Sequence, residues 1–147
     1  MLDKSFIGST SAPRSVEVEK GQLKFFAKAT DETNRIYFDE AVAREAGHPA
    51  LPAPPTFLMC LGSLAPDRED ILGKLGIDIG RILHGEQHFT HFKPIYAGDT
   101  ITLTTRVTDM YDKKGGALDF IVQETDATNQ KGEKVGLARS TIVVRNT

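Results

Sequence analysis

The sequence of 147 residues has no tryptophan and a single cysteine. Nowhere does it reach the ~20 consecutive apolar residues of a membrane-spanning helix. Cys60 alone cannot form an internal disulfide, which fits a reducing compartment. The opening stretch, MLDKSFIGSTSAPRS, holds no apolar run of signal-peptide length, so a cytoplasmic protein without membrane contact is expected. There is no basic excess: 18 Lys and Arg stand against 20 Asp and Glu, a formal charge of −2. That argues against nucleic acid as a partner, which calls for a strongly basic face. No Gly-x-Ser-x-Gly elbow is present, and Gly73, Gly76 and Gly80 match no phosphate loop. Internal repeats, low-complexity segments and linkers are absent as well, and the length suits one domain.

What remains is a chain of two characters. Residues 20–80 read mainly as helix. GQLKFFAKATD places Leu23, Phe26 and Ala27 on one face. DEAVAREAG reads as a short helix capped by Asp39 and stopped by Gly47. HPALPAPPT, with four prolines, reads as a rigid loop, and Pro54 and Pro55 then suit the start of TFLMCLGSLAP. That segment is apolar on almost every side, the pattern of a helix buried all round.

From Arg81 onward the period changes to that of strands. RILHGEQHFTHFKPI, TITLTTRVTDMY, ALDFIVQETDAT and EKVGLARSTIVVR follow one another, the last three joined by the glycine-bearing turns DKKGG and NQKGE. In the second, Ile101, Leu103 and Val107 share one face and Thr102, Thr104 and Arg106 the other. Short connections imply antiparallel pairing. The apolar helix is the only segment able to cover such a sheet, so the expected architecture is α+β, a curved antiparallel sheet wrapped around a central helix, the hot-dog fold. Residues 1–14 read as an N-terminal extension and 15–147 as the domain.

Candidate site residues concentrate in ATDETNRIYFDE. Asp31, Glu32 and Asn34 read either as polar residues at a helix exit, where they form local turn bonds, or as groups that hold a water or a proton. Of the histidines, alternation puts His84 and His88 on one face, about 13 Å apart at about 3.3 Å per residue, with His91 on the other. That is too wide for a shared metal, so no metal site is expected. His48 sits in the proline loop. Cys60 reads as a small core residue. Lys113 and Lys114 lie in a hairpin turn, either simply solvated or meeting a phosphate or acidic carrier.

Three stretches, FAKATDETNRIYFDEAVAREAG, PAPPTFLMCLG and LHGEQHFTHFKPIYAGDTITLTTRV, together resemble the MaoC-like dehydratases over roughly residues 15–145. They are most similar to the N-terminal MaoC, or fungal fatty-acid-synthase-like, dehydratase branch, which holds the A subunit of mycobacterial (3R)-hydroxyacyl-ACP dehydratase. The resemblance implies hydration of enoyl thioesters or dehydration of (3R)-hydroxyacyl thioesters on coenzyme A or acyl carrier protein, with no cofactor. Active members carry a motif like Gly-Asp-x-Asn-Pro-(Ile or Leu)-His, whose acid and imidazole move the two protons. Laid on this chain, the motif puts Glu32 at the Asp position with Asp31 one residue off, Asn34 at the Asn, Ile36 at the aliphatic residue and Tyr37 at the His. A tyrosine, with a pKa of about 10, is no near-neutral proton carrier, but it can hold a water or donate to a carbonyl.

The helix entrance departs from the family as well. Pro54-Pro55 stands where members have His-Gly, so the N–H groups that could face a thioester carbonyl belong to Thr56 and Phe57. His84, followed by Gly85-Glu86-Gln87, matches a position the branch often keeps. Its alternatives are a place facing the substrate site and a place at a dimer edge. The resemblance thus implies a unit that works as a homodimer or with a second, active hot-dog subunit. A hot-dog thioesterase, with Glu32 or Asp31 activating water, and an acyl-binding module without chemistry stand as alternatives.

Overall fold

The computed structural model describes residues 2–66 and 71–146. Its elements are β1 (Arg14–Glu17), α1 (Lys20–Ala29), α2 (Glu40–Glu45), α3 (Leu58–Leu64), α4 (Ile71–Lys74), β2 (Ile82–His91), β3 (Thr100–Lys113), β4 (Leu118–Thr128) and β5 (Lys134–Arg145). The strands form one antiparallel sheet in the order β1-β3-β4-β5-β2. The four long strands match the alternating segments of the sequence. The short β1 pairs Arg14–Glu17 with Thr100–Leu103 and has no sequence signal of its own.

The start of the chain is not detached from this sheet. Gly8 N–H donates to Val107 O at 2.8 Å and Val107 N–H to Ser9 O at 3.0 Å, so residues 8–11 run along the outer edge of β3. Leu2 and Phe6 pack against the cluster of Val107, Met110, Ile121 and Val144. Burial of these two apolar side chains ties the expected extension to the domain.

α3 lies across the concave face and buries Leu58 and Leu61 against Ile101, Leu103, Ala127 and Val135. Each Leu withdrawn from water stabilises the fold by about 1.5–3 kcal/mol. The helix is not buried all round, as its composition suggested: Met59 is 46 % and Leu64 41 % exposed. The reason is geometric. One sheet covers one side of a helix, and no described element of this chain covers the other.

α1 buries Leu23 and Ala27 with Phe26 partly covered, and it ends on two bonds that satisfy its last carbonyls, Asp31 N–H to Lys28 O and Glu32 N–H to Ala27 O. α2 ends on the same pair of bonds, Gly47 N–H to Arg44 O and His48 N–H to Ala43 O. In this Schellman arrangement the residue after the cap is left-handed, which glycine adopts without strain. Gly47 has φ +91° and Asp31, in the equivalent place, φ +56°.

A bulge in β2 corrects the expected placement of the histidines. The pairing with β5 slips between His84 and Glu86, so Gly85 is absorbed without a partner. His84 therefore shares the inner face with Gln87, Phe89 and His91, opposite Ile142, Ser140, Ala138 and Gly136, while His88 lies on the outer face opposite Arg139. A one-residue insertion inverts all later side chains in a strand of period two. Gly85 fits because a Cβ there would stand 2.8 Å from Val143 Cγ2 and 3.1 Å from Thr141 O.

Candidate functional site

Between α3, α4 and the inner face of the sheet lies a cavity of about 520 Å³. Its walls come from Leu58, Met59 and Gly62 of α3, Ile71 and Leu72 of α4, and Phe6. Across the floor runs a polar band: Thr105 of β3, Gln123 and Thr125 of β4, Ser140 of β5 and Gln87 of β2. Thr105 Oγ1 and Thr125 Oγ1 are 2.8 Å apart. The band exists because the strands place polar residues at inward positions, between Leu103 and Val107 on β3 and between Ile121 and Ala127 on β4. Arg14, from β1, closes the end of the cavity near the C-terminus of α3.

His84 lines this cavity. Its Nε2 lies 3.1 Å from the Glu86 carbonyl, a bond that makes Nε2–H the donor. The band and Arg14 carried no motif, so the sequence reading missed them. A signal was present in the polar residues at inward-facing positions of otherwise apolar strands.

The residues singled out in ATDETNRIYF do not line the cavity and are engaged in building their own loop. Asp31 is exposed and acts as the left-handed stop of α1. Glu32 Oε1 accepts the N–H groups of Thr33 at 2.8 Å and Asn34 at 2.9 Å. Asn34 Oδ1 accepts Ile36 N–H at 3.2 Å and so starts the 3-10 turn Arg35–Tyr37. Asp39 caps α2 by accepting from Ala41 and Val42 while receiving Arg35. These five N–H acceptances are the local turn chemistry that Asp, Asn and Glu offer.

Glu32 and Tyr37 are nonetheless brought together. Burial raises the Tyr37 pKa above the ordinary tyrosine value, and the Glu32 carboxylate raises it further. Tyr37 is therefore a protonated donor throughout the neutral range. It can hold a carbonyl or a water but cannot exchange a proton near neutrality.

At the entrance to α3, Thr56 is exposed in the 3-10 turn Pro55–Phe57 and keeps the N–H that a helix start leaves without an intrahelical acceptor. The Phe57 N–H is instead taken by Pro54 O at 2.9 Å, and its ring is buried edge-on against Phe26 at 5.3 Å.

The model of the "FAS1-like, dehydratase domain region" matches residues 5–137. An uncharacterised relative, the UPF0336 protein of Saccharopolyspora erythraea, is 37% identical over 147 residues, covering 99% of this chain and 93% of its own. Among solved structures, the C-terminally truncated HadBC (3R-hydroxyacyl-ACP dehydratase) complex of Mycobacterium tuberculosis is similar at a TM-score of 0.78 and 28% identity, over 94% of this chain and 96% of that one. The ChsH1-ChsH2 complex of the same organism shares the fold at a TM-score of 0.75 and 24% identity, over 93% and 89% of the two chains. With a sheet of this order folded over α3 and a family match across nearly its whole length, the chain belongs to the FAS1-like dehydratase-domain family of MaoC-like hot-dog proteins.

Proposed function

We propose that this chain is the acyl-holding subunit of a hydratase or dehydratase acting on trans-2-enoyl or (3R)-hydroxyacyl thioesters of coenzyme A or acyl carrier protein. The observation that carries the proposal is the separation of pocket from acid–base residues. A cavity of about 520 Å³ runs beside α3, and neither Glu32 nor Tyr37 reaches it. In this reading the cavity receives the acyl chain, Thr56 N–H faces the thioester carbonyl, His84 flanks the chain, and Glu32, Asn34 and Tyr37 form the wall through which the carrier arm enters. Asp31 orders that wall from the end of α1.

The proton-transferring pair comes from a second hot-dog subunit, either another copy or a different chain. Two features suit such a partner. β2 is an edge strand of ten residues, most of them exposed, and a long free edge invites pairing. The bare face of α3, with Met59 and Leu64, is apolar surface of the kind a partner covers. The HadBC structure is that of a complex, and the same arrangement is proposed for this chain. The reaction is set in the cytoplasm, where a lone reduced Cys60 is at home.

The test follows the loss of enoyl absorbance with trans-2-enoyl-CoAs of increasing length, using the chain alone and then mixed with a hot-dog partner that keeps the Asp and His pair. We expect no turnover alone and turnover in the mixture. Turnover by the chain alone that disappears in Glu32→Ala would replace the shared site with a self-sufficient one. Release of free thiol without hydration would move the protein to the thioesterases.

A further inference from the structure

The cavity is not the uniformly apolar slot that a plain alkyl chain needs. Arg14 stands opposite Leu103 in the sheet and shares the face turned toward α3. Its Nη1 reaches the carbonyls of Gly62 and Ala65, both at 3.4 Å, which places the guanidinium at the C-terminal end of α3. Those are long bonds for a guanidinium. Its Nε–H is sealed from solvent with no acceptor. No carboxylate pairs with Arg14 among the described residues, although its guanidinium is always charged. The sealed Nε–H is out of a ligand's reach, but Arg14 is among the residues that line the cavity. A guanidinium without a carboxylate partner on a cavity wall is a recognition element for a carboxylate.

The polar band suits the same ligand. Thr105, Thr125, Gln123, Ser140 and Gln87 line the floor beside Arg14. For an alkyl chain they are a desolvation penalty; for a chain ending in a carboxylate they are hydrogen-bond partners. The distance also fits. α3 spans seven residues from the thioester end at Leu58 to the Arg14 end at Leu64. Seven helical residues advance about 10 Å, the reach of an extended chain of about eight carbons.

We infer that the acyl group taken by this cavity carries a second carboxylate at its far end, a medium-length ω-carboxyacyl thioester, bound through Arg14. This rests on the acyl-pocket reading above and narrows its substrate class. The chemistry is recognition only; no bond is made or broken at Arg14.

The test is calorimetric titration of the purified chain with two esters of equal length, monomethyl suberate, which has one free carboxylate, and methyl octanoate, which has none. We expect monomethyl suberate to bind at least about tenfold tighter, a difference of the size one charge-assisted hydrogen bond supplies. Arg14→Met should abolish the preference, and Arg14→Lys, which keeps the charge, should retain part of it. Equal binding of the two esters to the unaltered chain overturns the inference while leaving the acyl pocket standing. So does a preference that survives in Arg14→Met. If neither ester binds, the acyl-pocket reading falls too. The comparison of esters on the unaltered chain decides by itself, so a variant that fails to fold does not block the test.

Discussion

Leu58 of α3 sits directly over Gly136 of β5: a Cβ built on Gly136 would stand 2.8 Å from Leu58 Cδ2. The missing side chain is what lets the helix lie close to the sheet, and both residues are buried. Gly136→Ala should destabilise the fold by about 1–3 kcal/mol through overpacking. Combined with Leu58→Ala, itself a loss of about 2–5 kcal/mol, it should cost less than the sum of the two, because the second change removes the atoms that clash. A double-mutant cycle by urea unfolding measures the coupling. Independent, additive losses would show that the helix adjusts elsewhere.

Asp31 occupies a left-handed position that ends α1, equivalent to that of Gly47 after α2. An L-residue there costs roughly 1–2 kcal/mol, and glycine returns about 0.4–1 kcal/mol of that as extra freedom in the unfolded chain. Asp31→Gly should therefore leave the melting temperature unchanged or raise it, by up to about 1 kcal/mol of stability. Thermal unfolding by circular dichroism checks it. A clear loss would mean that the Asp31 carboxylate has a partner in the working assembly.

Tyr37 titrates above the ordinary tyrosine range, first through burial and then through Glu32. The sign follows from linkage. A raised folded pKa means that the folded state holds its proton where the unfolded state has lost it, so stability declines as pH rises from about 10 through the folded value. Ultraviolet titration, compared with that of Tyr37→Phe, should show Tyr37 ionising above the ordinary tyrosine value. Glu32→Gln should move that step downward without restoring the free value, since burial remains. An unchanged step would separate the two side chains.

Asp39 works in the opposite direction. Hydrogen bonds from the N–H groups of Val42 and Ala41, with Arg35 adding to them, hold its pKa below the ordinary aspartate value. Its contribution is present above the unfolded value of about 3.9 and is lost as pH falls through the depressed folded one. Asp39→Ala should flatten the acid limb of the stability curve in that window and leave the alkaline limb alone. Equal flattening on both sides would indicate general loss of packing instead.

Local chemistry made much of this protein legible from its sequence. The alternation in β3 and β4, the glycines at the hairpins, the Asp39 cap and the proline-led start of α3 are decided within a few residues, so the α+β class and the antiparallel pairing of β3, β4 and β5 could be read directly, whereas the pairing of β2 with β5 could not. β1 could not, because four residues acquire strand geometry only when β3 offers its edge.

The site depended on more distant relations. One bulged residue, Gly85, turned His84 to the cavity and His88 away from it, and a bulge is set by the crowding of Val143 and Thr141 across the ladder rather than by β2 itself. The acidic run of residues 31–39 is equally a set of turn bonds or a reactive cluster until the backbone shows which N–H groups it accepts. Arg14 lies 89 residues from its sheet partner Leu103 and 48 from Gly62, so nothing local marks it as the end wall of a cavity. Periodicity determined which residues face inward; only the closing of the sheet over α3 decided which of them meet around one space.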